Sequence, residues 1–165
     1  MPYRKYRNQP VYLHKQSGII TEIKPEYRLE EWLRFDSKLE LSTFQSLPSE
    51  STYLQVKIPL KQKTLNTPGI TYVADFAVTL NGQIYLFEAK GKLTDSAKLK
   101  LNLLDMVYPE MFANLFMVTY RKADIDEFPA WLRAKAITGN KLPKLIQRLS
   151  NHGQNLSPEA DSPTA

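Results

Sequence analysis

A two-residue chain reversal constrains this sequence more than any other feature. Residues 70–80 read Ile-Thr-Tyr-Val-Ala-Asp-Phe-Ala-Val-Thr-Leu, residues 83–90 read Gln-Ile-Tyr-Leu-Phe-Glu-Ala-Lys, and Asn81-Gly82 stands between them. Both runs are rich in β-branched and aromatic residues, which suit strands. Asn-Gly supplies the positive φ angles that a tight hairpin turn needs at both central positions. A two-residue loop sets the register, so Leu80 is expected opposite Gln83, Val78 opposite Tyr85, Phe76 opposite Phe87 and Asp75 opposite Glu88. Lys90 lies two residues past Glu88 and points to the same side. The hairpin is thus expected to gather two carboxylates and one ammonium.

Like charges directly across a strand pair are unfavourable. Lys90 supplies one compensating charge, and a divalent ion would supply two more. Magnesium takes oxygen ligands, keeps several waters and binds through one or two carboxylates plus substrate phosphate, so Mg2+ is the expected cofactor, with Mn2+ as the alternative. A salt bridge among Asp75, Glu88 and Lys90 is the competing explanation. The convergence of these groups among apolar strand residues favours a site.

Asp75 followed across a short hairpin by Glu88-Ala89-Lys90 resembles the signature of the PD-(D/E)-XK nuclease superfamily, with Ala74 where the motif has proline. Tyr72-Val73-Ala74-Asp75-Phe76 with Glu88-Ala89-Lys90-Gly91 resembles phage-type endonucleases and Holliday-junction resolvases. It is also similar to the endonuclease subunit of heteromeric bacterial transposases. The resemblance covers the order of elements from Phe35 to Tyr120. It implies an α/β, restriction-endonuclease-like fold, with a mixed sheet, a central antiparallel hairpin and flanking helices. It also implies that Asp75, Glu88, Lys90 and an upstream helical glutamate, Glu40, are catalytic. Asp75, Glu88, Glu40 and the carbonyl of Ala89 would hold the metal. DNA would be the substrate, a homodimer the assembly because cutting both strands takes two sites, and a transposase subunit a partner. Glu40 has a local explanation as well, since Ser37 and Glu40 have capping-box spacing and a capping carboxylate points back along its helix. Glu30 and Glu31 are weaker rivals.

Bulk properties narrow the classes. The 165 residues are enough for one domain with a real core. There is no cysteine, which removes disulfides, thiolate zinc sites and cysteine nucleophiles. His14 and His152 are the two histidines, too few for a histidine-rich metal site. The net charge of +5 suits a polyanionic partner. No apolar run reaches membrane-spanning length and the N-terminus is charged, so a cytoplasmic, nucleoid-associated protein is expected.

Along the chain, residues 1–28 form an expected basic arm, in which Arg4, Lys5 and Arg7 alternate with tyrosines and would contact DNA. Ser17-Gly18 is expected to turn a short hairpin between residues 11–13 and 19–23. The first helix is expected to begin in the run Arg34 to Glu40 and to stop at Pro48. Residues 52–61 read as a strand with Leu54, Val56, Ile58 and Leu60 on one face, Lys57 and Lys61 on the other, and Pro59 marking an edge. Lys63 follows in a polar loop. Thr94 or Asp95 caps a helix to Val107, with Leu99, Leu103, Met106 and Val107 as its apolar spacing. Lys92 and Lys98 near its start join Lys57, Lys61 and Lys63 as expected DNA contacts. Residues 114–120 read as a strand reached by a right-handed crossover. Residues 126–137 read as a helix, and residues 142–149 as an amphipathic helix that completes the core or forms a dimer contact. Residues 29–150 would be the nuclease domain and 151–165 a disordered tail. The function these features suggest is a Mg2+-dependent endodeoxyribonuclease of phage or mobile-element type, for homing, junction resolution or transposon-end cleavage. The alternative is a non-catalytic DNA-binding module on a nuclease-like scaffold.

Overall fold

The Asn81-Gly82 turn forms as its residue types dictate. In a computed structural model, which describes residues 9–152, Asn81 has φ 50° and Gly82 φ 76°. Strands β5 (Ile70–Leu80) and β6 (Gln83–Ala89) pair antiparallel with Leu80 opposite Gln83, Val78 opposite Tyr85 and Phe76 opposite Phe87 as expected, but the expected Asp75–Glu88 pair does not form, because the ladder stops at Phe76–Phe87 and the Asp75 side chain takes the Ala89 amide. β4 (Thr52–Lys61) adds antiparallel to β5 as the outer strand, which accommodates Pro59. β7 (Leu115–Thr119) and β8 (Ala136–Thr138) add parallel beyond β6, completing a mixed five-stranded sheet in the order β4-β5-β6-β7-β8. The fold is α/β, with the antiparallel hairpin inside a mixed sheet.

Helices cover both faces. On one side lie α2 (Asp95–Val107), with Leu101 and Leu104 buried, α3 (Pro109–Ala113), with Phe112, and the following segment with Phe128 and Leu132. On the other lie α1 (Lys38–Ser46), with Leu39 and Leu41, and α6 (Leu142–Asn151), with Leu142 and Leu145. Full burial of each such side chain contributes about 1.5–3 kcal/mol. α6 therefore completes the core rather than presenting its buried stripe outward.

A smaller three-stranded sheet sits on the α1 side. β1 (Val11–His14) pairs with β2 (Ile20–Thr21) through the turn at Gly18, and with β3 (Trp32–Phe35) on its other edge. Val11 and Phe35 are buried in the same core as α1. The expected boundary after residue 28 thus falls within this small sheet, between β2 and β3. The expected helix over Arg34 and Phe35 is corrected by β3: the helix begins only at Lys38, after Ser37 accepts a hydrogen bond from the Glu40 amide at 3.1 Å.

Three further expectations change. In α2 the buried residues are Leu101 and Leu104; of the expected stripe Leu103 packs half-buried against the same core, whereas Leu99, Met106 and Val107 are exposed. The helix carries two apolar stripes at helical spacing, and contact with the sheet chooses between them. The expected helix over 126–137 is replaced by α4 (Lys122–Asp126), α5 (Ala130–Arg133) and strand β8. Finally, Leu54 packs with the α1-side core while Val56, Ile58 and Leu60 pack with the α2-side core. The cause is a local reversal of parity. Tyr72 and Ala74 face α2, but Phe76 and Val78 face α1, so the alternation of β5 flips at Asp75. Leu54 pairs with Phe76 and Val56 with Ala74, which sets Gln55, at φ 50°, opposite Asp75.

Candidate active site

Asp75 lies where the central hairpin opens. The β5–β6 ladder reaches Phe76–Phe87, and beyond it the Asp75 Oδ2 accepts a hydrogen bond from the Ala89 amide at 2.9 Å. The carboxylate takes the place of a backbone acceptor as the strands part. Ala89 stays in register with Val118 of β7, and the Lys90 amide donates to the Val118 carbonyl at 2.9 Å. The motif backbone is therefore held on the β7 side while its β5 side is given over to Asp75. Among the described residues no fully buried side-chain oxygen or nitrogen lacks a partner, and Asp75 Oδ1 bonds to none of them, so this oxygen is not fully buried.

Glu88 is 5% exposed and uses both oxygens. Its Oε1 is 2.9 Å from the Lys90 Nζ, and its Oε2 accepts from the Tyr72 hydroxyl at 2.9 Å. Lys90 is partly open to solvent. Glu40 enters from the first turn of α1, and its Oε2 accepts from the Asp36 amide at 2.9 Å, one residue before the N-cap. The expected capping pair is thus half met: Ser37 caps the helix, but the Glu40 carboxylate does not return to Ser37. The carboxylate feels the charges of Lys90 and Glu88 but bonds to neither, so its one side-chain hydrogen bond among the described residues is the capping one. Glu31 is engaged by His14 at 3.3 Å and Arg28 at 3.4 Å, on the small sheet.

Lys90 pairs directly with Glu88, while Asp75 and Glu40 feel its charge from farther away, and the proton affinities of these groups show an excess of negative charge. Burial, then repulsion from Glu88, pushes the Asp75 carboxyl up to about 7. Burial also raises Glu40, against the pull of the Asp36 amide. Burial lowers Lys90, but the charge and hydrogen bond of Glu88, with Asp75 and Glu40 behind it, leave the ammonium above its ordinary value. Burial and the Glu88 charge raise the Tyr72 phenol, so it stays a neutral donor. Among the described residues no three acidic or histidine side chains form a cage for a cation. What Asp75, Glu88 and the Ala89 carbonyl offer is a set of oxygen donors with surplus negative charge. That set fits a hard ion that retains much of its water.

The expected DNA-binding lysines divide into two groups. Lys57 and Lys61 are exposed on the sheet face turned away from α2, where β5 also exposes Thr71, and Lys63 is exposed in the loop beyond. Lys92 and Lys98 instead line a cavity of about 150 Å³ with Gly91, Leu93, Glu127 and Phe128, on the α2 side. Lys98 is also 3.3 Å from Asp95. Arg4, Lys5 and Arg7 lie outside the described residues. A second cavity, about 240 Å³, opens at the carboxyl end of β7 between Leu39, Ser42, Ser46, Thr119, Tyr120, Gly139 and Asn140.

Sequence reasoning missed two residues. Simple alternation excludes Tyr72, because it puts residues 72 and 75 on opposite faces of a strand. It meets Glu88 only because parity flips at Asp75. Gln55 gives no local signal at all, since nothing in its neighbours announces a positive φ.

No protein-family model matches the chain. No curated protein matches it either. Among solved structures it is similar to protein VC1899 from Vibrio cholerae, with 19% identity and a TM-score of 0.44, over 84% of this chain and 38% of that one. The chain thus spans well under half the length of that protein. Likeness to known proteins shows no family, and function has to be argued from the site. No helix among the described residues is long and apolar enough to cross a membrane.

Proposed function

We propose that this chain is a magnesium-dependent endodeoxyribonuclease of the PD-(D/E)-XK type. The observation that carries the reading is the meeting of Asp75, Glu88 and Lys90 at the fork of the hairpin, with the Ala89 amide on the Asp75 carboxylate at 2.9 Å and the Lys90 ammonium on Glu88 at 2.9 Å. An isolated salt bridge between Lys90 and Glu88 would not need the Asp75 carboxylate to replace a backbone acceptor where the ladder stops.

In this reading Asp75, Glu88 and the Ala89 carbonyl would hold a magnesium ion, or manganese in its place. The bound ion supplies charge that polarises a phosphoryl oxygen and acidifies water. Asp75 Oδ1 is not fully buried and offers the first contact. Lys90 stays protonated at neutral pH, so it positions the attacking water and stabilises the charge that develops on the phosphate rather than abstracting a proton. Glu40 adds negative charge from α1 and steadies the Lys90 ammonium. Lys57, Lys61 and Lys63 on one side, and Lys92 and Lys98 on the other, neutralise DNA phosphates flanking the site. Two copies of the chain would cut the two strands, so a homodimer belongs to the proposal, as do a nucleoid location and, for a transposase-type role, a second subunit.

Supercoiled plasmid incubated with the protein and Mg2+ tests the reading. The wild type is expected to nick or linearise it, and Asp75→Ala and Lys90→Ala to lose about 10²–10³-fold in rate. Cleavage by the variants at the wild-type rate would show that the site is elsewhere. DNA binding with no cleavage by the wild type in Mg2+ or Mn2+ would favour a non-catalytic binding module.

A further inference from the structure

The two oxygens of Glu88 have different partners. Oε2 is held by a neutral hydroxyl on a buried side chain, Tyr72, that is 4% exposed and wedged in the α2-side core. Oε1 is held by Lys90, whose side chain is 34% exposed and whose long stem can move. One contact is fixed and the other is exchangeable. Coulomb attraction makes the same oxygen the point at which a divalent ion would compete with the ammonium, and two positive charges cannot share it without repulsion.

Resting on the nuclease reading, we infer that Lys90 holds on Glu88 the coordination point that a divalent ion takes when it binds, and that Tyr72 is a positioning residue that pins the carboxylate so that only Oε1 is exchanged. The displaced ammonium then needs a new anionic partner, and a phosphate of the substrate is the group the site is meant to receive. Ion and phosphate loading would be coupled through one side chain: Lys90 drawn to a phosphate would leave Glu88 Oε1 open to hold the ion. An ion bound without DNA must instead displace Lys90 unaided, so it binds more weakly. Tyr72 prevents the freed carboxylate from rotating, which would lose the geometry shared with Asp75.

The test titrates Mn2+ into the protein without DNA, by calorimetry, for wild type, Lys90→Met, Tyr72→Phe and Asp75→Asn. Lys90→Met keeps the stem and removes the competing charge, so it is expected to bind Mn2+ about tenfold more tightly than wild type while losing cleavage. Tyr72→Phe is expected to bind about tenfold more weakly, a change that a purely structural role would not produce in a variant with wild-type circular dichroism. A second measurement needs no variant: Lys90 acetylation, followed by mass spectrometry on the wild type, is expected to speed up when Mg2+ is added. Lys90→Met binding no tighter than wild type, or acetylation of Lys90 indifferent to Mg2+, overturns the exchange. Tyr72→Phe binding Mn2+ as wild type does overturns the role of Tyr72. Mn2+ binding that survives Asp75→Asn unchanged would instead sink the nuclease reading and this inference with it.

Discussion

Asp75 is buried at the opening of the hairpin beside Glu88, and its raised proton affinity has a consequence for stability. A carboxyl whose folded-state pKa exceeds its unfolded value binds more protons when folded, so stability falls as pH rises from the unfolded value through the folded one. For Asp75 that window ends near about 7. Without divalent ions, Asp75→Asn is therefore expected to melt several degrees above wild type at about pH 8, with the gap closing towards about pH 4. Asparagine can still accept the Ala89 amide, so the comparison isolates the charge. Equal melting temperatures across that range would mean the carboxylate is better solvated than its burial implies. The same imbalance predicts the response to an ion. Mg2+ should raise the wild-type melting temperature, more at high pH than at low pH because protons compete for the ligands, and chelation should reverse the gain.

The hairpin is the element that sets the site, and two of its residues do more than their types suggest. Asn81 serves the turn with φ 50° and also donates from Nδ2 to the carbonyls of Leu149 and Ser150, at 3.2 and 2.6 Å. It thus ties the turn to carbonyls in the last turn of α6. Asn81→Gly keeps the turn and loses the tie, at an expected cost of about 1 kcal/mol in urea denaturation. Asn81→Ala loses both and should cost about 1 kcal/mol more. If the two variants are equally stable, the left-handed turn residue carries no strain. Gln55 makes the opposite case on β4. Its φ of 50° inside a strand is strained for a residue with a Cβ. Gln55→Gly is expected to be as stable as wild type or more so, by up to about 1 kcal/mol, because relieved strain outweighs the flexibility gained by the unfolded chain. Gln55→Val should be destabilised, since a β-branched residue is disfavoured at positive φ. A clear loss of stability in Gln55→Gly would point to the side chain rather than the backbone.

At the scale of the molecule, the N-terminal strands belong to the same core as the site. Val11 and Phe35 are each 1% exposed and pack with Leu39 and Leu41 of α1, the helix that carries Glu40. A fragment beginning at residue 29 would strip β1 from β3 and leave that side of α1 bare. It is expected to show no cooperative urea transition, whereas the full chain should show one. Cooperative unfolding of the fragment would make residues 29–150 a self-sufficient domain. The two faces of the sheet also divide the lysines, with Lys57 and Lys61 on one and Lys92 and Lys98 on the other.

Much of this protein is written in local pattern. Asn81-Gly82 determines the turn and hence the register that carries Phe76 to Phe87, because two consecutive positive φ angles admit few residues. The alternation of residues 52–61 marks β4, Pro59 its edge position, and Ser37 and Thr94 the starts of α1 and α2, because each signal acts through the backbone within a few residues. Only tertiary structure decided the rest. β3 and β8 have four and three residues, too few to show a period, and exist because β1 and β7 offer edges to pair with. α2 could bury either of two stripes until the sheet selected Leu101 and Leu104. The reversal of parity at Asp75 and Gln55, which lets Tyr72 reach Glu88, arises from two strands bending together, and no single segment of sequence contains both.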